Sequence, residues 1–238
     1  MTVPFDSHAG RETQLYSSVS RRFSLRSAVC IFAGGCRPPD DLFCGIIKGM
    51  NPASNSDDTK LASRFTVADY NRARAHKDRK AISEAIRRRF TERYISPVSK
   101  SKAKHGFAIM AICCLMIESL ESFRQGWKST DGLDEQAFQL FFARESAFGD
   151  FHGYEGYFHR NVRCGILHQG ETYHGWKIVR TGPLFEQATR TINATRFLRS
   201  MKKLLDDFCD GLKSAEWESR EWQNVNKKMR ALCNHCRI

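Results

Sequence analysis

Residues 105–125 read HGFAIMAICCLMIESLESFRQ, and the spacing within that stretch decides the fold class. Phe107, Met110, Cys113, Cys114, Ile117, Leu120 and Phe123 recur at intervals of three and four, the period of one face of an α-helix. The positions between them are largely apolar too. Such a helix belongs at the centre of a bundle, and Gly126 is placed to stop it. Two carboxylates interrupt the run, Glu118 and Glu121. A buried partnership with Arg160 or Arg163 and a solvent-facing position are both open to them.

Upstream, Ile82, Ile86, Phe90 and Tyr94 step by four, which predicts an amphipathic helix running to about Ile95 and broken by Ser96-Pro97. Downstream, a third helix is expected over 134–147 with Phe138, Phe141 and Phe142 inward, then an aromatic segment over 151–169. Gly170 to Pro183 breaks the helical rhythm, and Trp176-Lys177-Ile178-Val179 reads as a short strand or an extended loop. A long helix follows over 185–212, with Leu198, Met201, Leu205, Phe208 and Leu212 on one stripe, and a last one over 215–232. The predicted class is all-α: a bundle of about five helices over residues 63–238 with a short extended insertion. Residues 1–62 carry recurrent Gly, Pro, Ser and Asp without a helical period and read as an irregular tail, with Met50 a second candidate start. No membrane-spanning run is expected.

The chain carries 38 Lys and Arg against 26 Asp and Glu, a net charge of +12. Thirteen of the basic residues lie between Arg64 and Lys104 against four acids, an excess of nine that favours a polyanion such as nucleic acid. Lys80, Arg87 and Arg88 are the candidate phosphate contacts of that stretch; a solvated helix face is the plainer reading. The nine cysteines are odd in number, and Cys113-Cys114 fall inside the apolar helix. That pattern points to a reducing, cytoplasmic setting rather than a disulfide framework. Cys233-Asn234-His235-Cys236 has half the spacing of a zinc site but no second half, so no metal is assigned.

Arg160-Asn161-Val162-Arg163-Cys164-Gly165-Ile166-Leu167-His168-Gln169 holds the chemistry. Arginine forks onto phosphate, and histidine exchanges a proton near neutral pH. An arginine separated by four residues from a histidine, on a late helix of a helical bundle, resembles the signature of the HEPN superfamily (higher eukaryotes and prokaryotes nucleotide-binding). The likeness covers roughly residues 76–212. It implies a four-to-five-helix bundle, often a homodimer, in which motifs of two subunits form a composite ribonuclease site without metal or other cofactor. It also implies RNA as partner, with toxin–antitoxin or antiphage defence as the setting and an antitoxin or effector protein as a further partner. Carried over, Arg163 and His168 take the motif positions. The chain departs from the pattern at Cys164, where a polar residue usually follows the arginine. Arg160-Asn161 has that polar neighbour but leaves seven residues between Arg160 and His168, so both arginines stay candidates.

The expected activity is therefore endoribonuclease, by attack of the ribose 2′-hydroxyl, with Arg160 also on phosphate. The alternative is a non-catalytic helical interaction or RNA-binding module of the same fold, its arginine and histidine serving only stability. The rings of Phe148, Phe151, Tyr154, Tyr157, Phe158, Tyr173 and Trp176 are expected mostly in the core, with one or two exposed near the motif.

Overall fold

The computed structural model describes residues 56–99, 103 and 105–236. Cys30, Cys36 and Cys44, residues 1–55 of the tail expected over 1–62, and Lys100, Lys102 and Lys104 of the basic stretch lie outside them.

A short hairpin comes first, β1 (Lys60–Ala62) antiparallel to β2 (Phe65–Thr66). Leu61 is 2% exposed and belongs to the core, so the packed part begins before residue 63, where the sequence places the boundary. Thr66 then caps α1 (Val67–Ala75) reciprocally with Asp69, which satisfies free N–H groups of the first turn. Asp78 caps α2 (Arg79–Phe90), whose Ile82, Ile86 and Phe90 are buried as their spacing requires.

The helix does not end at Ser96-Pro97. After Phe90 it widens into a π turn over Thr91–Ile95, in which the Ser96 N–H reaches back five residues to the Thr91 carbonyl, and continues as α3 (Ser96–Ser99). The proline sits in the first turn of α3, where the widened turn has already interrupted the regular ladder and a missing N–H matters least.

The long apolar helix is α4 (Gly106–Gln125), ended by Gly126 in the left-handed conformation at φ 66°. Its mean hydropathy of 1.7 makes it long and apolar enough to cross a membrane, contrary to the expectation of no such run. Eleven of its twenty residues are buried, and it packs against α5 (Asp134–Arg144), α8 (Ala194–Ser214) and α9 (Arg220–His235), which makes it the core helix.

After α5 comes a 3₁₀ turn over Ser146–Phe151. Next is one continuous helical segment: α6 (Glu155–Phe158), a π turn over His159–Arg163, and α7 (Cys164–Gln169), ended by Gly170 at φ 71°. Phe138, Phe142, Phe148, Phe151, Phe158 and Phe197 fill the space between α5, this segment and α8, with ring centroids 4.7–6.4 Å apart.

The protein is mostly helical but not all-α. A second small sheet has the order β3-β5-β4, with β3 (Lys177–Val179) parallel to β5 (Thr191–Asn193) and β4 (Phe185–Glu186) antiparallel to it. The helix expected from Phe185 therefore starts only at Ala194. Its cap is Asn193, whose Oδ1 accepts the Arg196 N–H at 3.1 Å, and the nine residues before it serve the sheet. The last helix likewise starts at Arg220, capped by Ser219, rather than at Ala215, whose extended backbone ends α8.

Both carboxylates of α4 are buried. Glu121, fully enclosed, accepts Arg124 Nη1 at 3.1 Å and Arg144 Nη1 at 2.7 Å, and Arg124 also meets Glu145. Truncating one member of a buried charge cluster strands the others without a partner. Glu121→Ala is expected to lower the unfolding free energy by about 3–5 kcal/mol, read from urea denaturation against wild type.

Candidate functional site

The motif segment carries its residues onto different faces because of the π turn. There the Cys164 N–H bonds the His159 carbonyl five residues back, which winds the chain more slowly than an α-helix. Arg163 points inward, with its side chain 15% exposed. Its Nε donates to Glu118 Oε1 at 2.9 Å, and its Nη1 lies 3.2 Å from Asp134 Oδ2 and 3.9 Å from the Cys164 sulfur. Glu118 is thus the buried partner of Arg163, one of the two arrangements the sequence leaves open. Nη2 of Arg163 has no hydrogen-bond partner among the described residues.

Asp134 and His159 complete this cluster, with His159 Nε2 3.0 Å from Asp134 Oδ2. Burial works against the Arg163 cation, but the hydrogen bond and charge of Glu118, together with Asp134, outweigh it and hold the guanidinium above its ordinary value. Burial pushes the Asp134 carboxyl up, and the His159 hydrogen bond and the Arg163 charge bring it net below its ordinary range. Nothing in the sequence marks Asp134 or His159, since each is an isolated residue on its own helix.

His168 lies in the last turn of α7, exposed and without a hydrogen-bond partner among the described residues. Neither it nor Arg163 lines any of the four best-formed cavities among the described residues.

Arg160 faces elsewhere. With Asn161 it lines a cavity of about 650 Å³ walled by Tyr154, Tyr157, Trp176 and the loop residues His174 and Arg190. Of the aromatic cluster, Phe148, Phe151 and Phe158 are fully buried and Trp176 nearly so, while Tyr157 is 57% exposed.

The segment after α7 folds back over the motif helix. The Tyr173 N–H donates to the Asn161 carbonyl at 2.9 Å, and Thr172 Oγ1 donates to the Trp176 carbonyl at 2.6 Å. Gly165 permits this approach, because a Cβ there would sit inside van der Waals contact of the Glu171 carbonyl oxygen.

Three arginines of the basic stretch are tied into the fold, while Arg64, Arg72, Arg74, Lys77, Lys80 and Arg93 are exposed. Arg87 binds Asp210 at 2.6 Å and Asp206 at 3.3 Å, tying α2 to α8. Arg88 and Arg89 donate to the Ser63 and Leu61 carbonyls of the hairpin at 3.0 and 2.7 Å. Arg87 and Arg88, expected on phosphate, therefore already have protein partners. Lys80 is exposed and has no ion-pair partner among the described residues. Two other members of the stretch, Arg74 and Lys77, line a cavity of about 830 Å³ between α1 and α9 together with Lys227, Arg230 and Glu218, which pairs with Lys77 at 2.6 Å. The sequence shows only half of this lining, because Lys227 and Arg230 come from the opposite end of the helical region.

Cys233 and Cys236 lie at the end of α9, and no cluster of three or more metal-ligating side chains occurs among the described residues. No protein-family model, curated protein or solved structure matches the chain.

Two outcomes follow for this region. Asp134 has a depressed folded-state pKa, so its contribution is present above the unfolded value of about 3.9 and is lost as pH falls through the folded value. Asp134→Asn should therefore flatten the loss of stability below about pH 4, measured by denaturant melts across the acid range. Gly165→Ala should push the 171–176 segment off the helix and destabilise the fold by about 1–3 kcal/mol, seen as a lowered thermal midpoint.

Proposed function

We propose that this chain is an RNA-cleaving protein of the HEPN type, with Arg163 and His168 as its reacting pair and a second copy of the chain completing the site. One observation carries the reading. A single continuous helical segment holds an arginine whose charge is fixed by two carboxylates and, one turn further on, an exposed histidine with no partner among the described residues. Neutral His168 takes the proton from the ribose 2′-hydroxyl, whose oxygen attacks the adjacent phosphorus. The 5′-oxygen leaves with a proton donated by the protonated histidine of the second copy. Arg163 offers its remaining Nη2 to the phosphate as charge gathers on the equatorial oxygens. The products are a 2′,3′-cyclic phosphate and a 5′-hydroxyl. A cytoplasmic defence setting, with an antitoxin or effector as regulator, belongs to the same proposal.

A second reading is supported by the enclosure of Arg163, whose engagement with Glu118 and Asp134 is also what a purely structural arginine would show. In that case the chain is an interaction or RNA-binding module of the same architecture.

RNA cleavage in EDTA with end-group analysis separates the two. Wild type should leave cyclic-phosphate ends, and His168→Ala should be slower by about 10²–10⁴ with unchanged thermal stability, since the side chain is exposed. Equal cleavage by His168→Ala would sink the assignment, and a folded wild type that cuts no RNA would leave the interaction module.

A further inference from the structure

The cavity beside the motif helix has a composition that the cleavage proposal leaves unused. Arg160 and Arg190 supply two cations, and no carboxylate lines it among the described residues. Arg160 has no ion-pair or hydrogen-bond partner among the described residues. Arg190 donates once, from Nη1 to the His174 carbonyl at 2.8 Å. Tyr157 offers a ring more than half exposed, and Tyr154 and Trp176 lie behind it with centroids 6.3 Å apart.

Asn161 is the decisive member. It is 3% exposed, and its Oδ1 is buried with no hydrogen-bond partner among the described residues. A buried polar atom left unpaired is unfavourable, and such atoms are rare in folded proteins unless a ligand or water satisfies them. The backbone is strained at the same place. His174 and Arg190 are held at φ 53° and 52°, a region that non-glycine residues seldom occupy and that clusters at binding sites.

We propose that this cavity binds one nucleotide unit. The base rests against Tyr157, its polar edge meets the Asn161 amide, and the phosphate is held by Arg160 and Arg190. The volume of about 650 Å³ lies within the roughly 300–1,000 Å³ usual for sites of this kind. An asparagine amide presents a donor and an acceptor side by side, which is the complement of a base edge. Arginine forks onto phosphate, and aromatic rings stack on any base. The unit is either a free nucleotide or an unpaired nucleotide of an RNA strand, and the site stands apart from whether His168 cleaves.

The test is equilibrium binding to the full chain, by calorimetry, of the four nucleoside 5′-monophosphates, inorganic phosphate, and a five-nucleotide 2′-O-methyl RNA that cannot be cut. Arg160→Ala and Asn161→Leu are each expected to weaken binding at least tenfold, and Tyr157→Ala by roughly five- to 150-fold. Asn161→Leu has a further readout. It replaces the unpaired amide with an apolar group of similar size, so its thermal midpoint should equal or exceed that of wild type while binding is lost. A structural asparagine would show the reverse, with lowered stability and intact binding, and that result overturns the proposal. Binding of the oligonucleotide alone assigns the site to an RNA strand, and equal binding of a mononucleotide assigns it to a free ligand. Failure of all the nucleotides to bind wild type, or binding that none of the three substitutions weakens, rejects the site.

Discussion

Two carboxylates on the most apolar helix organise this protein. Glu118 and Glu121 lie one turn apart on α4, both almost wholly removed from water, and each requires cationic partners from another element. Glu121 draws Arg144 from α5 and Arg124 from its own helix, and Glu118 draws Arg163 from the motif segment. An isolated ion in an apolar interior would cost several kcal/mol, so the packing that surrounds α4 has to deliver those arginines. The position of Arg163 is thus set from the core outward, and the geometry of the candidate site follows from a constraint that lies beneath it.

The π turn over His159–Arg163 is the second determinant. Had the segment stayed α-helical, Arg160 and Arg163 would lie one above the other on a single face. The slower winding sends Arg163 into the carboxylate cluster and leaves Arg160, with Asn161, to line the neighbouring cavity. Two arginines that compete for one role in the sequence therefore serve two different environments. Gly165, a turn later, lets the returning loop lie against the helix and brings His174 and Trp176 to that cavity.

The basic stretch shows how charge density can mislead. The guanidinium groups of Arg87, Arg88 and Arg89 satisfy carboxylates of α8 and carbonyl groups of the β1–β2 hairpin, so part of the run fastens the fold, while Arg74 and Lys77 of the same run face an open cavity. The cations that do line an open surface between α1 and α9 are about 150 residues apart in the chain.

By itself the sequence determined what repeats locally. The inward face of α2, the whole of α4 with its stop at Gly126, the three phenylalanines of α5 and the stripe of α8 follow from periodicity, because every turn of a helix repeats the same burial test. For Glu118 and Glu121 the sequence left a buried partnership with an arginine and a solvent-facing position both open. Only the tertiary structure decided that both are buried, that Arg163 pairs with Glu118, that Asp134 and His159 join them, and that residues 185–193 form two short strands joined by a turn rather than the start of a helix. Those outcomes depend on contacts between residues dozens of positions apart. The strands exist because β3, β4 and β5 meet one another, and the unpaired amide of Asn161 has meaning only beside the arginines and rings that folding brings to it.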